Sequence, residues 1–334
     1  MKNITIEHIE QYNKEFNIST FNKSLVKGID IERDGIDAFY KTCIEATIKS
    51  SPVLSKKKFD IAKLAKDQFM QENARSTYFL MTMVVLWLQY KQIYKFDQDT
   101  LEMVTASEFK DLTYDELKAL KLPYDSFAIE NTFKFETGSD RDGIFDTVLV
   151  NKQVIGETGN VLLAVYPFYK DTNNTKTVRY DIILEKYIEN DSILKWIERT
   201  RDEDDKDDGR VLKEIINLIL YIAQPKVDVI KKKSEVKERK RADGDIPKSI
   251  YQVAYEENQV GLKLGRAIRE HRQRIIYESE GKCGKGHTKT PHIRCGHFHH
   301  YWVGKGRTEL TVKFVEPTFV LGGNKDVTLR KVGK

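Results

Sequence analysis

The run NVLLAVYPFY, Asn160–Tyr169, is where the fold is decided. Its continuous apolar character predicts a buried strand, which Pro167 interrupts near its end because proline cannot donate to a ladder. On its C-terminal side, Lys176–Glu185 alternates, with Val178, Tyr180, Ile182 and Leu184 facing one way. On its N-terminal side, Phe133 and Phe135 alternate with Lys134 and Glu136. DRDG at Asp140–Gly143 and ETG at Glu157–Gly159 supply turns between these segments. The connections are too short for crossover helices. An antiparallel or mixed sheet is therefore expected rather than a Rossmann arrangement.

The first 120 residues read as helical. Ile36, Phe39, Tyr40, Cys43, Ile44, Thr47 and Ile48 recur three and four apart, which places Cys43 in a core as a structural thiol. The stretch Asp67–Tyr94 is apolar nearly all round in its middle, from Phe79 to Leu88, and predicts a central helix packed on several faces. Tyr114–Leu122 is a short helix candidate that Pro123 would stop. Beyond the sheet, Asn190 or Asp191 can cap a helix carrying Ile193, Trp196 and Ile197. Asp202–Asp208 holds six acids and is expected as an exposed loop; it lacks the positions and terminal Glu of a calcium loop. Val211–Ile222 returns to helical period. Lys231–Arg241, with seven basic and two acidic residues, is a solvated linker or a nucleic-acid contact through Lys231, Lys232, Lys233, Arg239 and Arg241. The expected organisation is an α+β chain in four parts: a mainly helical 1–125, a sheet-rich body 126–225, a basic connecting segment 226–258, and a C-terminal module 259–334.

Composition narrows the function classes. Three cysteines in 334 residues exclude a disulfide scaffold and fit a reducing compartment. The start, MKNITIEHIEQYNKEFN, lacks the apolar core of a signal peptide, and the most apolar run, FLMTMVVLWL, is ten residues where a span needs about 20. No membrane partner is expected. Charge is unevenly distributed: residues 261–334 hold 16 basic and 6 acidic side chains, a net of +10, and the rest of the chain is net −5. A polyanion or an acidic peptide would be drawn to the C-terminal quarter.

That quarter carries the chemistry. Val260–Tyr277 predicts a helix with Val260, Leu264, Ala267, Ile268, His271 and Ile275 on one face and Lys263, Arg266 and Arg269 opposite; Arg272 and Arg274 flank the stripe. His271, inside the stripe, is expected to be a satisfied, partly buried histidine. EGKCGKGHTKTPHIRCGHFHHYWVGKG follows, with five histidines in fourteen residues. One reading is zinc held by Cys283, His287, Cys295 and His297, although the separations match no usual finger. A second is a ribonuclease, metal-dependent or not, with His297 and His299 as acid and base and Lys289 or Arg294 stabilising phosphate charge. A third is recognition, in which His287, Lys289, His292, Arg294, His297 and His299 supply donors and charge beside Tyr301 and Trp302. Were His292–Tyr301 extended, His297, His299 and Tyr301 would face one way while Gly296, Phe298 and His300 faced the other. Glu309–Phe319 predicts a strand that ties this segment to a sheet, with a short Val327–Leu329 strand beyond. A general nucleic-acid-binding regulator using Lys231–Arg241 with Lys263, Arg266, Arg269 and Arg272 is a further alternative, without a helix-turn-helix or RRM motif to raise it.

HTKTPHIRCGHFHHYWVGKG, His287–Gly306, followed by ELTVKFVEPTFV, resembles the closing signature of a family of type V-A anti-CRISPR proteins. His287, Thr288, Lys289, Pro291, His292, Ile293, Arg294, Gly296, His297, His299, Tyr301, Trp302 and Gly304 match that pattern, as do Pro317, Phe319 and Val320. Cys295 stands where the family has Arg, and Phe298 where it has Trp. The resemblance implies a protein that lowers effector production by recognising the nascent N-terminal peptide of the CRISPR effector nuclease, with loss of its mRNA. No cofactor is expected. The resemblance also implies the bacterial host cytoplasm, with the translating ribosome, effector mRNA and a host nuclease as further partners.

Overall fold

The computed structural model describes residues 3–25, 36–108, 112–113, 116, 119–135, 143–155, 160–171, 174–179, 182–184, 206–236, 246, 248–280, 292–307, 309–320 and 326–327. The fold is α+β, with N-terminal helices, a central mixed sheet, and a C-terminal basic helix beside a histidine-rich strand region. The chain divides into two compact units: residues 1–94, 124–185 and 231–258 form the first, and 95–123, 186–230 and 259–334 the second.

In the first unit, helices α1 (Ile4–Glu15), α2 (Ile18–Leu25), α3 (Ile36–Ser50), α4 (Ile61–Leu64) and α5 (Gln68–Tyr90) precede the sheet. Asn3, Asp60 and Asp67 cap α1, α4 and α5, each side chain accepting from a backbone N–H of the first turn. Helix α5 is the expected central element: Leu80, Met81, Val84 and Trp87 are buried, and it packs against α2, α3 and two sheet strands. Each such side chain stabilises the fold by about 1.5–3 kcal/mol relative to exposure. The predicted helix to Tyr94 is corrected. Lys91 adopts a left-handed conformation (φ 55°) that ends α5, and the chain enters strand β1 (Gln92–Phe96), where the Trp87 indole donates back to the Gln92 carbonyl at 3.0 Å.

Strands β2 (Ser126–Phe135), β3 (Gly143–Ile155), β4 (Asn160–Asp171), β5 (Asn174–Arg179), β6 (Ile182–Leu184), β7 (Val229–Lys233) and β8 (Glu256–Val260) complete the sheet, in the order β5-β4-β3-β2-β1-β8-β7 with β6 also on β4. The hairpins β2–β3 and β3–β4 are antiparallel as expected, and β1 joins β2 in parallel. Three readings change. Strand β4 runs through Pro167 to Asp171, and the β3–β4 register shifts between Phe145 and Thr147, beside the Val148↔Pro167 pair. Lys176–Glu185 is two strands, since β5 pairs one end of β4 and β6 pairs its middle. Lys231–Lys233, expected in a linker, belong to edge strand β7, whose side chains are all exposed. The predicted turns at 140–142 and 157–159, the helix near 190–197 and residues 237–245 lie outside the described residues.

The core of this unit joins Ile6, Ile9, Phe21, Trp87, Ala128, Leu149 and Phe168. A smaller one holds Phe39, Cys43, Ile44, Ala65 and Ala74, so Cys43 is buried as predicted. Polar contacts bind α1 to the sheet: His8 Nε2 lies 2.6 Å from Asp146, and the Thr5 hydroxyl donates to Glu130 at 2.9 Å.

In the second unit, α6 (Gln98–Thr105), α7 (Lys206–Ile222) and α8 (Leu262–Glu280) support two small sheets. Helix α7 begins at Lys206, so Asp207 and Asp208 are helical rather than part of the expected acidic loop; acids suit the positive end of a helix. Strands β9 (His292–Arg294), β12 (Thr318–Val320) and β13 (Asp326–Val327) form one sheet, in the order β13-β12-β9. Strands β10 (His297–Val303) and β11 (Glu309–Val315) form the other. The single strand expected over Glu309–Phe319 is thus split at Glu316–Pro317, because Pro317 interrupts the ladder and lets the chain change sheets. Of Tyr114–Leu122, residues 114, 115, 117 and 118 lie outside the described residues; Thr113 and Glu116 exchange capping-box hydrogen bonds there.

Candidate recognition site

The histidine segment changes sheet in its middle. In β9, Ile293 packs with Ile268, Phe319 and Met103 against α8 and α6, which turns His292 and Arg294 outward. Cys295 is exposed, and Gly296 is buried against the next hairpin. A β-carbon on Gly296 would sit 2.4 Å from the Phe314 ring, so only glycine allows the chain to pass there. A continuously extended His292–Tyr301 would be one alternating strip. The structure makes it two strands in two sheets, because Gly296 lies where the second hairpin closes over Phe314.

Within β10 the predicted alternation holds. Phe298 is fully buried, with its ring 5.1 Å from Phe314; Phe314 in turn meets the edge of Tyr221 at 5.1 Å. Burial raises the Tyr221 phenol above its ordinary range. His300 points to the same side as Phe298 and lies 3.0 Å from Glu116. His297, His299 and Tyr301 share the opposite face. Their rings follow one another, with centroids 6.4 Å apart between His297 and His299 and 4.7 Å between His299 and Tyr301. Lys313, opposite His299 on β11, brings its ammonium 5.6 Å from the Tyr301 ring. Trp302 is 60% exposed near the end of the hairpin. Gln224 occupies the outer edge of β11, since its amide oxygen accepts from the Phe314 N–H at 3.2 Å. Among the described residues β10 pairs only with β11.

The basic helix packs the expected face inward, with Leu264, Ala267 and Ile268 in a core. Gly265 lets α8 approach α6 so closely that a β-carbon would fall 1.7 Å from an Asp97 oxygen. One turn later Arg269 donates to both Asp97 oxygens at 2.9 Å and to Asp99 at 2.6 Å, while Arg272 bonds Asp99 and lies 3.7 Å from Glu102. Hydrogen bonds donated to Asp97, then to Asp99, hold the Arg269 guanidinium protonated far above its ordinary range. Two predicted nucleic-acid contacts are therefore ion-paired within the chain, with their side chains still about half exposed. Composition alone missed Asp97 and Asp99; the visible signal was the four-residue spacing Gly261, Gly265, Arg269. Lys263 and Arg266 are exposed. Lys231 is held by Glu256 at 3.0 Å and by the Tyr124 hydroxyl at 3.1 Å, and Lys232 and Lys233 are exposed on β7. His271 is buried against Phe319, and its Nε2 lacks a hydrogen-bond partner among the described residues, which corrects the expectation of a satisfied ring.

Cys283, His287, Lys289, Arg239 and Arg241 lie outside the described residues. Among the described residues, no three His, Cys, Asp or Glu side chains gather as a metal cluster, and no helix is long and apolar enough to cross a membrane.

A family model described as "AcrVA2-like: Anti-CRISPR type V subtype A2 family" matches residues 94–322, a span that takes in both hairpin strands, the basic helix and the whole histidine signature. The chain belongs to the AcrVA2-like anti-CRISPR family. A solved structure, "Crystal structure of AcrVA2", resembles this AcrVA2-like chain with a TM-score of 0.57 and 17% identity, covering 96% of this chain and 100% of that one. At that identity the likeness speaks for the fold. Comparison with curated proteins finds no match. Family membership ties this chain to type V-A CRISPR systems as an inhibitor.

Proposed function

We propose that this protein lowers production of a type V-A CRISPR effector by binding the effector's N-terminal peptide during translation, with loss of the effector mRNA. The observation that carries the reading is the outward face of β10: His297, His299 and Tyr301 in line beside Lys313, on a hairpin of which one edge is occupied by Gln224. An extended peptide can add to the other edge of such a hairpin through main-chain hydrogen bonds, while the ring-lined face selects side chains. His292, Arg294 and Trp302 extend the surface; His287 and Lys289 are assigned to it from the family signature. Lys232, Lys233, Lys263 and Arg266 are the contacts proposed for mRNA or a ribosomal surface, a host nuclease would remove the message, and the setting is the bacterial host cytoplasm. No cofactor is invoked. Titration of a synthetic N-terminal effector peptide into the pure protein should give saturable binding that Tyr301→Ala weakens by about tenfold, equivalent to ~1.4 kcal/mol. No saturable binding, together with unchanged effector message in cells, would overturn the reading.

A second reading is favoured by the two imidazoles 6.4 Å apart on one face: direct RNA cleavage with His297 and His299 as acid and base and Arg294 near the phosphate. Purified protein incubated with effector transcript distinguishes the two. Cleavage that His299→Ala abolishes supports the enzyme, whereas intact RNA across several metal ions eliminates it.

A further inference from the structure

The densest run of unpaired positive charge among the described residues lies far in sequence from the histidine signature. Lys56, Lys57, Lys58, Lys63 and Lys66 fall within eleven residues of the first unit. All five are exposed, and none has an ion pair among the described residues. Lys58, Lys63 and Lys66 line one open groove of about 430 Å³ together with Phe59 and Leu64. The two acids at its wall are already engaged: Asp60 accepts from the Lys63 N–H and Asp67 from the Met70 N–H, each as a helix cap. Phe59, in the groove lining, is 37% exposed, and Phe69, two residues beyond the lining residue Asp67, is 72% exposed.

The groove is anchored from behind. Ile61, Leu64 and Ala65 pack into the small core with Cys43 and Ala74, and the Gln71 amide donates to the Ala65 carbonyl at 2.6 Å. Bare phenyl rings beside a line of ammonium groups match a phosphate backbone whose bases are unpaired, because a free base offers a face to stack while a duplex hides it. An acidic peptide would satisfy the lysines and leave both rings in water. We infer that this groove binds single-stranded nucleic acid, through phosphate contacts from Lys58, Lys63 and Lys66 and base stacking on Phe59 and Phe69. The site falls outside residues 94–322, so no role comes to it from the family model, and it does not depend on the peptide reading.

The test uses the full chain and a fluorescent oligouridylate of about 15 nucleotides followed by anisotropy across a salt series. Lys58→Glu with Lys63→Glu and Lys66→Glu should weaken binding at least tenfold and flatten the slope of log K against log salt by roughly two. Phe59→Ala with Phe69→Ala should weaken binding about tenfold while leaving that slope unchanged. Circular dichroism confirms that each variant is folded; should the triple variant unfold, Lys63→Gln with Lys66→Gln carries the same comparison. Affinity and slope equal to wild type in the lysine variants would overturn the proposal. So would polyglutamate displacing the oligomer as well as unlabelled oligouridylate does, combined with no effect of the phenylalanine variant.

Discussion

Single residues decide how closely the elements of the second unit approach. Gly265 is the sharpest case, because Asp97 occupies the space a β-carbon would take and is itself pinned as the cap of α6 and as the acceptor for Arg269. Gly265→Ala should therefore lower stability by about 1–3 kcal/mol in urea unfolding, although alanine favours helix elsewhere. A rise in stability would show that α6 moves freely away. Residue types alone could not reveal this. Arg269 and Arg272 look like free cations in the sequence, and only the distant acids Asp97 and Asp99 show that their charge is spent internally.

At the scale of elements, period was the legible quantity. Helix α3, strand β2 and the inward position of Phe298 follow from spacing, since one buried face imposes 3.6 or 2 as the repeat, while the middle of α5 and strand β4 follow from apolar runs with no wet side. Where one element ends and another begins was less legible. The strand β1 follows α5 with one left-handed residue between them, and β11 gives way to β12 at Pro317. Phe298 joins β10 to the interior, with full burial against Phe314. Phe298→Ala should cost about 3–5 kcal/mol and speed amide exchange across 297–303. Unchanged protection in that hairpin would mean that Phe298 does not anchor it.

For the molecule as a whole, alkaline pH is an informative stress. Burial pushes the Cys43 thiol up from 9.0 to about 12, against a smaller opposing pull from Arg75. Burial, then the neighbouring Cys43, pushes the Tyr78 phenol up from 10.0 to about 12. Folded protein keeps protons that the unfolded chain releases, so stability is full below about pH 9 and falls as pH rises toward 12. The urea midpoint should drop between pH ~9 and ~11, and Cys43→Ala should shrink that drop. An equal drop in the variant would place the titration elsewhere.

The sequence by itself determined the α+β class, the burial of Cys43 and Phe298, and a histidine signature specific enough to point to a type V-A anti-CRISPR family. Those are local properties, carried by period and by side-chain chemistry along a continuous stretch. The tertiary structure alone decided that His292 and His299 lie in different sheets, that Arg269 and Arg272 face inward acids, and that Lys58 and Lys66 line one groove beside Phe59. Each of these depends on which segments meet, and meeting is settled by the packing of surfaces distant in the chain rather than by the residues flanking them.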